Sequence, residues 1–244
     1  MACRGADGAY PPLRKRGIFP LAEERLIPVG QRKLMSTLRA GDLLGFSGSG
    51  WLSAGINLLS YGIPYWDIAH VGIVAEISDD VFPVWCGPHV DCNVGRYTRP
   101  GLYLFESTID HDISCKLCPG VTSGVQAHYP SDSVSRSRGK VWHYPLWREL
   151  RPLESRRLTR FLIHRLGTPY DTIGAFRSAG RGFSWLESLL RKEDLSGLFC
   201  SELCAAAHRH INLLATENIS RWNPNRLLRT ERKQGILRKP GRVK

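Results

Sequence analysis

The stretch at residues 69–77 reads AHVGIVAEI and is the clearest strand signal in the chain. Alternate residues from Val71 to Ile77 are apolar, so they fall on one face of an extended segment. His70 and Gly72 fall on the other face. This period of two is typical of a β-strand that packs one side against a core. The pattern therefore predicts a central strand that begins at a histidine, with a small glycine beside it.

Other apolar runs complete an α+β pattern around this strand. LRAGDLLGF at residues 38–46, GLYLFEST at 101–108 and KVWHYPL at 140–146 predict further strands. RLTRFLIHRLG at 157–167 and the residues that follow Ser201 predict helices. Residues 111–138 are rich in Gly, Ser, Pro and Cys and are expected to form long loops. We expect an antiparallel sheet with the helix that begins near Cys200 packed against it.

Composition places the chain among globular proteins with anionic partners. The 244 residues suffice for one large domain, and 42% hydrophobic residues exclude a disordered chain. The formal net charge of +12 favours nucleic acid, acidic lipid or an acidic cell-wall polymer as partner. Much of the excess lies near the ends. We therefore divide the chain into a basic extension at 1–35, a folded domain at 36–230 and a basic tail at 231–244.

The compartment is predicted from targeting signals and cysteines. The first residues contain no apolar run of the signal-peptide type. Residues 43–66 carry no charge, but glycines, serines and a proline interrupt them, so they do not predict a membrane span. Seven irregularly spaced cysteines favour a reducing compartment with mostly free thiols. A cytoplasmic or virion-associated location is expected.

Cys200 and His70 are the candidate reactive pair. Cys200 lies where a helix should begin, and the N–H groups of a helix start stabilise a thiolate and can hold an oxyanion. A cysteine nucleophile needs a base, which His70 can supply, and a polar side chain to orient that base. Glu106 lies on a neighbouring predicted strand, with Ser107 or Thr108 as alternatives if the register differs. The alternative reading is a buried structural thiol and a strand-end histidine.

Four segments carry a resemblance to a known family. In order, LRAGDLLGF, AHVGIVAEI, LGTPYD at residues 166–171 and FCSELCAAA at 199–207 resemble the circularly permuted papain-like superfamily. That superfamily includes the YiiX-like and lecithin retinol acyltransferase-like proteins and is related to NlpC-type peptidases. The histidine precedes the cysteine here, as in the permuted group. The resemblance spans about residues 38 to 230 and implies a permuted papain-like catalytic domain at 36–230.

The resemblance implies a cysteine-dependent hydrolase or acyltransferase. Cys200 matches the nucleophile, His70 the base and Glu106 the orienting residue. An amide or ester bond in a peptide, a cell-wall stem or a lipid would be cleaved through an acyl-thioester. No metal or cofactor is implied.

Four further positions match the family pattern. Tyr170 and Ser201 are candidates for oxyanion or substrate contacts. Glu202 is expected to stabilise the start of the helix, and Asp42 to make a turn or strand-end contact.

Two other functions stay open. The first is a non-catalytic structural or nucleic-acid-binding protein on the same fold, such as a virion component that uses its basic ends. Separately, Cys115 and Cys118 form a C-x-x-C pair that could share a zinc ion with residues upstream. Those upstream residues are Cys86, His89 and Cys92. Loop thiols without a metal are the favoured reading.

Overall fold

The computed structural model describes residues 36–47, 68–78, 84–85, 93–94, 99–108, 114–170, 199–215 and 222–244. Within them the protein is α+β with an antiparallel sheet, as expected from sequence. The sheet has six strands, and four helices accompany it. The strands are β1 (Leu43–Phe46), β2 (His70–Ile77), β3 (Val84–Trp85), β4 (Asn93–Val94), β5 (Gly101–Thr108), β6 (Gly124–His128), β7 (Val141–Tyr144) and β8 (Gly241–Arg242). The helices are α1 (Pro130–Arg136), α2 (Pro152–His164), α3 (Cys200–His210) and α4 (Pro224–Lys233).

The sheet has the order β6-β5-β2-β1-β7-β8, and β3 pairs with β4 separately. The predicted alternation in β2 is confirmed, since its apolar face from Val71 to Ile77 lies in the main core cluster. The opposite face contributes Val74 to a second cluster with Leu44 and Leu104. β2 is therefore covered on both sides, and its first residue, His70, lies where the strand enters the sheet.

Helix α3 packs against β2 and β5, and α2 packs against both β2 and α3. Every residue of α3 from Cys200 to His208 is buried. Three consecutive alanines, Ala205 to Ala207, present small side chains that let the helix lie close to its neighbours. Burial of the apolar side chains of α3 contributes about 25 cal/mol per Å² of apolar surface removed from water. None of the helices in the described ranges is both long enough and apolar enough to cross a bilayer.

Asp42 fixes the turn that leads into β1, in agreement with its expected role. Its Oδ1 accepts the Leu146 N–H at 2.8 Å, and its Oδ2 accepts the Arg39 N–H at 3.0 Å. The same Oδ2 lies 2.7 Å from Nε2 of His143 on β7. These contacts join the entry of β1 to the end of β7.

Residues 231–244, expected from sequence to form a basic tail, belong to the folded domain. The proposed boundary falls inside α4, and β8 extends the sheet by pairing with β7. Glu231 and Leu237 are buried, and Val243 packs against the second core cluster. The few apolar residues between the basic ones anchor this stretch while its basic side chains face outward. The extension at residues 1–35 lies outside the described residues.

Gly124 at the start of β6 is expected to tolerate no side chain. Its φ is +79°, and an added Cβ would lie 2.1 Å from the Thr168 carbonyl oxygen, which accepts the Val125 N–H at 2.9 Å. Gly235 has a similar φ of +72°, but nothing lies within 4 Å of its Cβ position. Gly235→Ala should therefore cost only the backbone strain, about 1–2 kcal/mol. Gly124→Ala should lower the free energy of unfolding, measured in urea, clearly more than Gly235→Ala does. Equal losses in the two variants would contradict this prediction.

Candidate active site

Cys200 is the first residue of α3 and is 1% exposed. The preceding Phe199 has an extended backbone, so the chain turns into the helix directly at the cysteine. Glu202 stabilises this start, because its Oε2 accepts the Phe199 N–H at 3.0 Å. This confirms the structural role expected for Glu202. The first N–H groups of a helix have no partner within the helix, so donors face the region of the sulfur.

His70 is held between Cys200 and Glu106. Its Nε2 lies 2.7 Å from Oε2 of Glu106, and its ring packs at 5.7 Å from that of Phe46. The side chain is 28% exposed, so one side of the site is open to solvent. Burial favours the neutral imidazole, but the charge and hydrogen bond of the Cys200 sulfur, together with Glu106, raise the pKa of His70 to about 10. Because Nε2 is directed at Glu106, Nδ1 is the ring nitrogen that can exchange a proton with the Cys200 sulfur.

Glu106 on β5 is held by three side chains. Its Oε2 faces His70, and its Oε1 lies 2.8 Å from Nδ1 of His128 on β6 and accepts the Ser133 hydroxyl of α1 at 2.8 Å. The carboxyl is 6% exposed. Burial opposes its ionisation, but hydrogen bonds from His128 and His70 hold the pKa of Glu106 well below its usual range. A fixed carboxylate of this kind orients the imidazole and stabilises its protonated form.

Gln126 completes the cluster behind Glu106. Its Oε1 is placed 2.9 Å from Nε2 of His128, which leaves the buried Gln126 Nε2 with no hydrogen-bond partner. An amide oxygen and nitrogen are assigned from their hydrogen bonds, because their shapes are nearly alike. Turning the amide would let its NH₂ donate to Nε2 of His128, but the amide oxygen would then occupy the position that has no partner. The contact that bears on the site is the one from His128 Nδ1 to Glu106.

His128, Ser133 and Gln126 were missed by the sequence analysis. They lie in residues 111–138, expected to be loops, where the structure has β6 and α1. One signal was present, since Gln126 and His128 are two residues apart and so share a face of a strand. The candidates Ser107 and Thr108 were the alternatives to Glu106. Here Glu106 itself makes the contact with His70.

Ser201 and Tyr170 both make contacts that support the start of α3. The Ser201 hydroxyl is fully buried and donates to the Trp222 carbonyl, which ties α3 to the segment before α4. The proton of that hydroxyl is thereby committed to a structural contact. The Tyr170 ring packs edge-on against Phe199, with ring centroids 5.8 Å apart. It thereby supports the residue next to Cys200.

The remaining described cysteines differ from Cys200. Cys204 lies one turn further along α3, where burial and the nearby negative charges raise the pKa of its thiol well above the usual value. Cys115 is a free buried thiol that accepts the Ala127 N–H at 3.3 Å, whereas Cys118 is disulfide-bonded and departs from the expected free thiols. Within the described ranges no three His, Cys, Asp or Glu side chains are arranged to hold a metal ion. The candidate zinc ligands Cys86, His89 and Cys92 lie outside those ranges.

Comparison with known proteins gives a distant structural likeness. No family model matches the sequence, and no curated protein matches it. Among solved structures, the chain is similar to the crystal structure of the metalloprotein YiiX from Escherichia coli O157:H7. The two share 16% sequence identity and a TM-score of 0.42, over 72% of this chain and 67% of that one. Likeness at this level supports no conclusion about the activity of this chain, which rests on its own residues.

Proposed function

We propose that this protein is a cysteine-dependent hydrolase or acyltransferase with a permuted papain-like fold. The observation that carries the proposal is the chain of contacts from Cys200 through His70 to Glu106. A nucleophile at a helix start, a base on the adjacent strand and a carboxylate behind the base are the parts that acyl transfer requires. The α+β fold and the order of histidine before cysteine agree with the resemblance to the permuted group.

The geometry supports a two-step reaction. The Cys200 thiolate attacks the carbonyl carbon, and N–H groups at the start of α3 stabilise the resulting oxyanion. Protonated His70 gives its proton to the leaving amine or alcohol as the bond to the acyl group breaks, which leaves an acyl-thioester on Cys200. Neutral His70 then takes a proton from water, or from a second acyl acceptor, as that group attacks the thioester. The acyl product departs and the thiolate is restored.

The substrate class is an amide or ester of a peptide, a cell-wall stem or a lipid. The net charge of +12 favours an anionic substrate or an anionic surface that carries it. Ester and amide substrates differ in the leaving group that His70 must protonate. A comparison of ester and amide substrates therefore distinguishes the two classes.

Trapping of the covalent intermediate tests the proposal. The protein is incubated with p-nitrophenyl esters of short and long acyl chains and with γ-glutamyl dipeptide amides, then quenched in acid. Mass spectrometry of the peptide containing Cys200 should show an added acyl group. Acylation of another residue, or no acylation by any substrate of the panel, would overturn the assignment.

His128 is expected to act on the reaction through Glu106. His128→Leu removes the Nδ1 donor and leaves one side of the buried carboxylate unsatisfied, so acylation should slow by about tenfold or more. His128→Asn places an amide N–H near the position of Nδ1 and should restore most of the rate. The rate of acyl-enzyme formation is measured as a function of pH in both variants.

A purely structural role for His128 would lower stability equally in both variants and leave the shape of the pH profile unchanged. That outcome would contradict the prediction. Ser133→Ala is the matched partner, since it removes the second donor to the same oxygen of Glu106.

A second candidate function rests on charge alone. The net charge of +12 also suits a non-catalytic protein that binds nucleic acid. Binding of a DNA duplex whose affinity falls steeply with salt, together with an unreactive Cys200, would favour this alternative.

A further inference from the structure

Trp147 and Leu153 are the exception to the burial of large apolar side chains. In the described part of the chain they are the large hydrophobic residues that stay exposed, at 65% and 53%. Trp147 lies in the connection between β7 and α2, and Leu153 lies in the first turn of α2, six residues later. Two large apolar side chains exposed within one short stretch of the chain indicate a surface with a partner rather than scattered exposure.

Trp147 is held in place with its ring outward. Its N–H donates to the Ile236 carbonyl at 2.8 Å, and its carbonyl accepts the Arg238 guanidinium at 2.7 Å. The same guanidinium lies over the Trp147 ring at 5.3 Å from its centre. The ring is thus fixed by the fold and paired with a cation on one face, as in cation–π contacts.

The surroundings of Leu153 are strongly basic. Leu153 lines an open cavity of about 570 Å³ together with four arginines, Arg148, Arg151, Arg156 and Arg157. Glu154 is the acidic residue of that lining, and its carboxylate is hydrogen-bonded by Arg148 and Arg151. The lining of this cavity thus brings four arginines and one carboxylate together around an exposed apolar side chain.

We propose that this surface, defined by Trp147, Leu153 and the four arginines, docks onto an anionic membrane. Tryptophan and leucine side chains enter the interface of a bilayer, and tryptophan favours the depth of the headgroups. Arginine binds phosphate groups through paired N–H donors, and each basic residue near an anionic leaflet adds to the attraction. The cavity between the arginines receives a lipid headgroup.

A membrane fits this surface better than nucleic acid does. Single-stranded nucleic acid binds through aromatic rings on which bases stack. One face of Trp147 is covered by Arg238, and the aliphatic Leu153 offers no stacking surface.

The surface lies away from the candidate active site. The cavity is also lined by Ile211 and Asn212, at the end of α3, whereas Cys200 begins that helix. An eleven-residue helix is about 16 Å long. Docking would therefore anchor the protein at the end of α3 that is far from Cys200, and the inference does not depend on the proposed activity.

Co-sedimentation of the full chain with vesicles tests the proposal. The vesicles are phosphatidylcholine alone, or phosphatidylcholine with 30% phosphatidylserine, at low and physiological salt. Three double variants are compared with the parent: Trp147→Ser with Leu153→Ser, Arg156→Gln with Arg157→Gln, and the control Arg138→Gln with Arg229→Gln. The control removes the same charge from exposed arginines elsewhere.

We expect the parent to prefer the anionic vesicles. The Arg156/Arg157 variant should bind them about thirtyfold more weakly, at about fivefold per arginine. The Trp147/Leu153 variant should bind weakly even at low salt, and the control should bind like the parent. Equal weakening in the control and the arginine variant, no preference for anionic vesicles, or a DNA duplex that displaces the protein from vesicles would overturn the proposal.

Discussion

Cys200→Ala is expected to abolish acyl transfer and to leave the fold intact. The variant keeps the helix start, because the contact from Glu202 to Phe199 does not involve the cysteine side chain. It removes the atom that attacks the carbonyl, so turnover should fall to the background rate. Hydrolysis of the best ester or amide from the trapping panel is the measurement, with circular dichroism to confirm folding.

Cys204→Ala is the matched control for that loss. Cys204 lies on the same helix, one turn away, and is equally buried. Burial keeps its thiol neutral, so it has no part in the reaction, and its removal should leave most of the activity. If Cys204→Ala were as inactive as Cys200→Ala, the loss would reflect damage to α3 rather than chemistry at Cys200.

His208→Leu is expected to give the largest loss of stability. His208 on α3 and Glu231 on α4 are both fully buried, and Nδ1 lies 2.8 Å from the carboxylate. Nε2 lies 3.0 Å from the Gly41 carbonyl, so the imidazole joins two helices and the turn before β1. Removal of one partner leaves a buried charge uncompensated, at a cost of about 3–5 kcal/mol. Urea unfolding measures the loss.

A double variant separates the pair from the packing around it. His208→Leu with Glu231→Leu removes both charged groups, so it should recover much of the stability lost in the single variant. If the double variant were no more stable than His208→Leu alone, the broken His208–Glu231 pair would not be the cause of the lost stability.

The contribution of His208 should also depend on pH. Burial favours its neutral form, but the Glu231 carboxylate outweighs that effect and raises the pKa of His208. Because the pKa of His208 is higher in the folded state, its contribution to stability is fully present at a pH below about 6.5, the pKa in the unfolded chain. The contribution is lost as the pH rises through the pKa of the folded state. The difference in unfolding free energy between parent and His208→Leu should therefore shrink at alkaline pH.

The fold class and the elements that carry Cys200 and His70 were predictable for definite reasons. The alternation in residues 69–77 requires a strand with one face in the core, which is where the structure places it. The helix at Cys200 and the neighbouring strand with Glu106 follow from equally regular patterns. These elements bury apolar side chains at a regular residue spacing, and that spacing can be read from a single sequence.

The support behind Glu106 was not predictable, because it is polar and short-ranged. β6 is a five-residue strand with only two apolar residues on its core face, Val125 and Ala127, and its other face carries the polar Gln126 and His128. These side chains are buried only because they bond to each other and to Glu106. The C-terminal stretch was misjudged for a related reason, since its basic composition concealed the buried Leu237.

The most direct test of the account is the rate at which a small alkylating reagent modifies each cysteine between pH 5 and pH 10. An ordinary thiol, with a pKa near 8.5, is less than about 1% ionised at pH 6. Paired with protonated His70, Cys200 should react rapidly at pH 6, while Cys115 and Cys204, whose thiol pKa values are raised by burial, stay unmodified. His70→Ala should slow the reaction of Cys200 at that pH by about tenfold or more. A Cys200 that reacts no faster than Cys115, or as fast without His70 as with it, would contradict the thiolate–imidazolium pair and with it the proposed enzyme.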